Sequence, residues 1–373
     1  MAGLYIHIPF CASRCIYCNF YSTTSLKLRQ RYVDAVCREM SLLPAPSKER
    51  GSIDTIYLGG GTPSQLTPDQ LRQLFLYINK VYENQAVEVT IEMNPDDVTP
   101  AFAEILPRLG INRVSMGAQT FDNERLRFLH RRHTATQVRQ AVTALRNAGI
   151  HNISIDLMYG FPGETLDDWQ RDIEAALSLD VEHISAYCLM VEEGTALYER
   201  LKMKDEKLKM PNEELERQMY ELLIDKLTAA GYEHYEISNF SKPGYRSRHN
   251  SSYWNDTPYV GLGAAAHSYD GHCRSWNVAD IHQYIKAIER GELPSEQEEI
   301  DDDTHYNDRI TVALRTCEGL YLTTLSERHR RYCMKEAQRF LDDGLLQLCD
   351  NRLSLTRKGL FVSDYIMSSL IMV

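Results

Sequence analysis

Short apolar runs alternate along the chain with longer stretches in which apolar residues return every three or four positions. The strand-like runs fall at residues 4–9, 53–59, 87–93, 113–119, 152–159 and 183–190, and the helical spacing at 28–43, 68–81, 136–148 and 166–177. Six such βα units in series require parallel strands covered by helices, which predicts an α/β fold with an open sheet or incomplete barrel. A closed eight-unit barrel needs two more repeats, and the pattern breaks first. A charged stretch at 202–209 leads into an amphipathic helix over 213–230 that Gly231 ends. Residues 232–269, rich in Tyr, His, Trp, Asn and Gly, read as a loop-rich segment, and the acidic run 295–303 as a solvated linker. Helices near 308–317 and 325–341, two apolar runs within 345–355 around Asp350-Asn351-Arg352, and a last helix predict a smaller winged-helix-like α+β domain. The expected divisions are therefore 1–231, 232–303 and 304–373.

Composition narrows the function classes. A net charge of −11 and a pI near 5.6 weigh against a general nucleic-acid or anionic-membrane surface, both of which demand excess Lys and Arg. The nine cysteines are an odd number, and Met1 to Gly3 run straight into an apolar strand, so a cytoplasmic home is expected. The apolar run at 365–373 is too short to span a bilayer and is expected to pack as the last helix.

Three cysteines, Cys11, Cys15 and Cys18, stand in the stretch YIHIPFCASRCIYCNF, immediately after the first strand. Thiolates select soft metals, and C-x3-C-x2-C supplies one donor too few for a closed site. A cubane held by three cysteines leaves one iron free for a ligand. Three structural cysteines, or a zinc site completed by His7 or a distant residue, are the alternatives; His7 itself reads as a brace for the loop.

In parallel βα folds the reactive groups gather at the C-terminal ends of the strands. There the second strand ends in Gly59-Gly60-Gly61-Thr62-Pro63, where glycines let a backbone approach closely. Glu92 closes the third strand, Gln119 the fourth, Asp156 lies in the fifth, and Arg131 sits in the cluster His130-Arg131-Arg132-His133. Carboxylates accept from hydroxyls or an ammonium, and an arginine forks onto a carboxylate, although each residue alone equally suits a strand-end hydrogen bond. Finally, RHNSSYW at 248–254 and GLGAAAHS at 261–268 join histidines and aromatics to small residues. That combination suits either a porphyrin with an axial histidine or a packed aromatic loop.

Together the motifs YIHIPFC with C-x3-C-x2-C, GGGTP, IEMNPD, SMGAQTFD, IDLMYGFPGET, YCLMVEEGT, RHNSSYW and GLGAAAHS resemble one branch of the radical S-adenosylmethionine (SAM) superfamily. That branch holds oxygen-independent coproporphyrinogen III oxidases (HemN type) and haem chaperones (HemW type). The resemblance implies an incomplete (β/α)6 barrel with a C-terminal domain, and a 4Fe-4S cluster on Cys11, Cys15 and Cys18. It implies SAM contacts from Tyr5, Tyr17, Gly60, Gly61, Thr62, Glu92, Gln119, Arg131 and Asp156. Phe20 stands where the oxidases carry a further cysteine, the long segment they carry before the cysteine motif is missing, and HNSSYW matches a motif proposed in the chaperones for haem binding. These departures point to a chaperone with haem as cargo, held through His249, Tyr253 and Trp254, and a haem-accepting, membrane-associated protein as partner, with no nucleic acid and no membrane span. A homodimer and a radical enzyme that decarboxylates porphyrinogen propionates stay open as alternatives.

Overall fold

A computed structural model describes residues 2–43, 53–82, 84–203 and 208–372; residues 204–207 of the charged stretch lie outside it. The expected parallel strands are present as β1 (Ala2–Ile8), β2 (Ile53–Gly60), β3 (Asn84–Met93), β4 (Arg113–Gln119), β5 (Asn152–Tyr159) and β6 (His183–Cys188). They pair in sequence order, each parallel to the next. The intervening helices include Arg29–Leu42, Pro68–Val81, Ala135–Asn147 and Leu166–Leu177. Thr67, Thr134 and Thr165 each start one of the last three with a reciprocal capping box, so these helices are bounded locally before they pack.

Side chains alternate across each strand, and the two faces have different chemistry. Leu4, Ile6 and Ile8 of β1, Val114, Met116 and Ala118 of β4, and Ile153, Ile155 and Leu157 of β5 are fully buried in one core with helix residues such as Tyr32, Val36 and Trp169. The opposite face carries Tyr5 and His7, Arg113 and Ser115, and Ser154 and Asp156. The barrel interior is thus polar, where a purely structural barrel is filled by branched apolar side chains.

The stretch 232–303, expected as loop and linker, instead extends this sheet at both ends. β7 (Glu233–Glu236) and β8 (Asn239–Ser241) form a hairpin whose second strand runs antiparallel to β6. β9 (Tyr259–Leu262) lies parallel to β1, and β10 (His267–Tyr269), β11 (Cys273–Asn277) and β12 (Ser295–Glu299) continue outward as antiparallel neighbours. Among the described residues this gives a twelve-stranded sheet. The acidic run splits in two: Ser295–Glu299 is an exposed edge strand, whose charges discourage further pairing. Asp301 to Asp303 cap and open the helix Asp302–Ala313, where acids complement the helix dipole.

The C-terminal domain has its own core around Tyr306, Ile310, Phe340 and Leu353. β13 (Leu320–Tyr321), β14 (Leu346–Cys349) and β15 (Arg352–Leu355) form its sheet beside the helix Glu327–Asp342. Asp350 and Asn351, both at positive φ, make the two-residue turn of the hairpin. The last helix, Ser363–Leu370, packs as expected. This domain docks on the β7–β8 hairpin: Ile237 N–H donates to Arg315 C=O and Cys317 N–H to Tyr235 C=O, both at 3.1 Å, and Arg315 pairs with the buried Glu236 at 2.8 Å.

Candidate functional site

The cysteine loop folds back on itself after β1: Cys11 N–H donates to Thr23 C=O at 2.9 Å and Thr23 N–H to Pro9 C=O at 2.7 Å. His7 braces it as expected. Its Nε2 donates to Tyr21 C=O at 3.0 Å while Nδ1 meets the Tyr5 hydroxyl at 3.1 Å, so neither nitrogen is left for a metal. Burial keeps the ring neutral by lowering its pKa.

A cavity of about 600 Å³ opens at the C-terminal ends of the strands beneath this loop. Cys11, Cys15, Tyr17 and Cys18 line it together with Gly60, Gly61 and Thr62 and with Glu92, Gln119, Arg131 and Asp156. The structure thus brings together every residue expected for cluster and SAM except Tyr5.

Donors already face two of the sulfurs. The Thr62 hydroxyl lies 3.5 Å from Cys11 Sγ and Arg131 Nη1 3.5 Å from Cys15 Sγ. Burial pushes the Cys11 and Cys18 thiols up, so such donors, or a metal, are what favour the thiolate form. No three His, Cys, Asp or Glu side chains among the described residues converge on one point as a mononuclear ion requires. A cubane takes its thiolates at three separate irons, and the donor set here, three free thiols on one loop around an open cavity, fits that group.

The glycines serve the protein's own packing first. Gly60 has φ +109°, and a Cβ there would lie 2.5 Å from the His7 ring; a Cβ on Gly61 would lie 2.7 Å from the Pro9 backbone. Their absence lets the end of β2 close against the cysteine loop. Gly117 does the same beside Gln119 and Arg131, where a Cβ would sit 2.7 Å from Gln119 Nε2 and 3.0 Å from Arg131 Nη2. Gln119 itself has φ +64° at a register shift in β4, a strained placement of the kind that gathers at functional sites. Arg131 is fixed by Gly117 C=O and Asn94 Oδ1, each at 2.7 Å. Its neighbours diverge: Arg132 pairs with Asp96 and Asp97, and His133 is buried against Ala118 C=O.

Glu92 accepts from the Tyr57 hydroxyl at 2.8 Å and from Gly60 N–H at 3.1 Å. Burial, reinforced by Asp156, raises its pKa to about 7, and burial raises that of Asp156 to about 6. A cation placed beside them would favour the ionised form of both. Arg113 is almost wholly buried on the same inner face, with no protein acceptor for its Nε or Nη1 among the described residues.

Sequence reasoning missed Arg113, Asn94, Tyr57 and Ser185. For Arg113 the signal was available in the two-residue alternation of R-V-S-M-G-A-Q, and for Tyr57 and Ser185 in that of T-I-Y and H-I-S-A-Y, which puts one polar face into the barrel.

The three residues expected for haem separate. His249 lies on the short helix Arg248–Trp254, whose first N–H groups donate to Glu88 at 3.0 and 2.9 Å. This helix plugs the barrel interior, and the His249 ring is fully buried between Thr55 Oγ1 (Nδ1, 2.9 Å) and the Tyr253 hydroxyl (Nε2, 2.9 Å). Burial and the Arg113 charge lower its pKa to about 3. Trp254 faces the C-terminal domain, with the Arg315 guanidinium 5.2 Å from its ring centre. Tyr253 alone reaches a cavity, a second one of about 350 Å³ that it lines with Tyr5, Tyr259 and His267. The two cavities meet at Phe20, Gly60 and Glu92.

Comparison with known proteins follows the same outline. Residues 5–176 match the model of the radical SAM superfamily and 300–362 that of the HemN C-terminal domain. The chain is 36% identical to the heme chaperone HemW of Bacillus subtilis, covering 96% of both chains, and 33% identical to that of Lactococcus lactis, covering 95% of this chain and 93% of the other. Its fold is similar to that of Escherichia coli coproporphyrinogen III oxidase (HemN), a radical SAM enzyme, with a TM-score of 0.85 at 22% identity over 100% of this chain and 90% of that one.

Proposed function

The chain belongs to the radical SAM superfamily and, within it, to the HemW family, and on that premise we propose that it is a haem chaperone that binds haem and passes it to an acceptor protein while carrying a 4Fe-4S cluster and SAM. The observation that carries the reading is end-to-end similarity to HemW proteins, since it spans both the cysteine cavity and the aromatic cavity beside it. The similarity to the oxidase is one of fold.

In this reading Cys11, Cys15 and Cys18 hold the cluster, which when bound supplies an electron and an open iron for the amino and carboxylate groups of SAM. Thr62 and Arg131 offset the charge of two thiolates. Glu92 and Asp156 attract the cationic end of SAM, and Gln119 and Arg131 offer donors to its polar groups. Tyr5 lines the second cavity and stacks at 6.2 Å on Tyr57, which lines the first. An aromatic cavity open to solvent suits cargo that must leave again, because burial of part of a porphyrin face holds it without enclosing it.

No helix among the described residues is long and apolar enough to cross a membrane. The reading places the carrier in the cytoplasm and its acceptor at a membrane. Stoichiometric haem titration of the anaerobically reconstituted protein, followed by mixing with an apo-haemoprotein, tests it: a Soret band that moves to the acceptor is expected. A protein that binds no haem at stoichiometric loading refutes it.

A further inference from the structure

We infer that His267, outside the HNSSYW stretch, is the side chain that ligates haem iron. The assignment rests on the haem-carrying reading above and identifies the atom at which the cargo is held. An axial ligand must offer an imidazole nitrogen with a free lone pair at a surface the porphyrin can reach. Three histidines lie at or beneath the aromatic cavity. His7 has both nitrogens engaged, by Tyr5 and Tyr21, and His249 has both engaged, by Thr55 and Tyr253, beneath a fully buried ring. His267 is exposed on β10, lines the cavity, and has no ring hydrogen bond among the described residues.

The local backbone is built to present it. Gly263 to Ala266 form a turn closed by Ala266 N–H to Gly263 C=O at 3.1 Å, with Ala265 held at φ +62°, a conformation that a residue with a Cβ adopts at a cost. Ala265 faces the cavity, and its small side chain leaves the approach to His267 open. Gly261 lets β9 and β10 pack closely, since a Cβ there would lie 2.0 Å from His267 C=O. On its other side the imidazole stacks toward Trp276, with ring centres 6.1 Å apart and planes at 30°, a contact that uses neither nitrogen. Tyr253 and Tyr259, edge to face at 4.8 Å, and the exposed Phe20 supply apolar walls for a flat ring system.

His249 then acts as a positioning residue: its Nε2 holds the Tyr253 hydroxyl, and through it the cavity wall. Ferric haem titrated into the full-length reconstituted protein separates the roles. For His267→Ala the Soret maximum and the low-spin electron paramagnetic resonance signal should change, with affinity weaker by roughly tenfold or more. Added imidazole should restore the native spectrum in that variant. His249→Gln, chosen to keep a hydrogen-bonding side chain, should retain the axial-ligand signal while binding more weakly. Circular dichroism on both variants confirms folding. An unchanged spectrum in His267→Ala, or loss of the axial signal in folded His249→Gln alone, overturns the assignment and leaves the haem-carrying reading standing. Absence of haem binding in the wild-type protein overturns both.

Discussion

Replacing Glu92 by glutamine tests the electrostatics of the cavity lining. The carboxyl is half-buried, and desolvation, with Asp156 adding to it, raises its pKa from 4.5 to about 7 against the opposing hydrogen bonds from Tyr57 and Gly60. Because the folded-state pKa is raised, its contribution to stability is fully present below the unfolded value near 4.5 and is lost as pH rises to about 7. A shift of that size corresponds to about 3 kcal/mol at most, and solvent in the open cavity reduces it to on the order of 1–3 kcal/mol. Glutamine removes the pH dependence, and while its Oε1 can still accept from Gly60 N–H, its NH₂ takes the place of the oxygen that accepts from Tyr57, which leaves that O–H without its acceptor at a cost of about 1 kcal/mol. Glu92→Gln should therefore be less stable than wild type at pH 5 and equal or more stable at pH 8, read as the urea midpoint by circular dichroism. The same substitution should weaken SAM binding at pH 8, and wild-type affinity should rise through the pH 6–8 window as the carboxylate ionises. Parallel stability profiles in the two proteins would refute the assignment of a raised pKa to Glu92.

Three further outcomes follow from the packing. Gly60→Ala forces a Cβ into the His7 ring at positive φ, and should cost at least about 1–3 kcal/mol and loosen the cysteine loop, seen as faster hydrogen exchange at residues 9–23. Arg315→Ala leaves Glu236 buried without its partner and should cost roughly 2–3 kcal/mol, with faster exchange in the helix Arg248–Trp254 that Trp254 ties to this arginine. Serine at Cys11, Cys15 or Cys18 should each abolish cluster assembly, measured as iron and sulfide per chain after anaerobic reconstitution.

The six parallel strands and their helices were legible because the core-facing positions of each strand are apolar and a periodic helix stands behind it. Residues 113–119 and 152–159 match β4 and β5 end to end. β7 to β12 were not legible: they are three to five residues long, range from the buried β8 to the exposed β12, and join the sheet through strands far along the chain, as in the parallel pairing of β9 with β1. The residues expected for cluster and SAM were found from motif, strand-end position and family resemblance, and all but Tyr5 line one cavity. The placement of His249 was not, because whether a histidine points into a core or a groove depends on what its helix packs against, here Glu88, Thr55 and Tyr57.

The central claim is that the two neighbouring cavities serve haem carriage rather than porphyrinogen decarboxylation. One anaerobic sample of reconstituted protein decides between them: half receives coproporphyrinogen III, SAM and a reductant, and half receives one equivalent of haem. The account predicts no vinyl product in the first half and a stoichiometric Soret band in the second; vinyl product with no haem bound would contradict it.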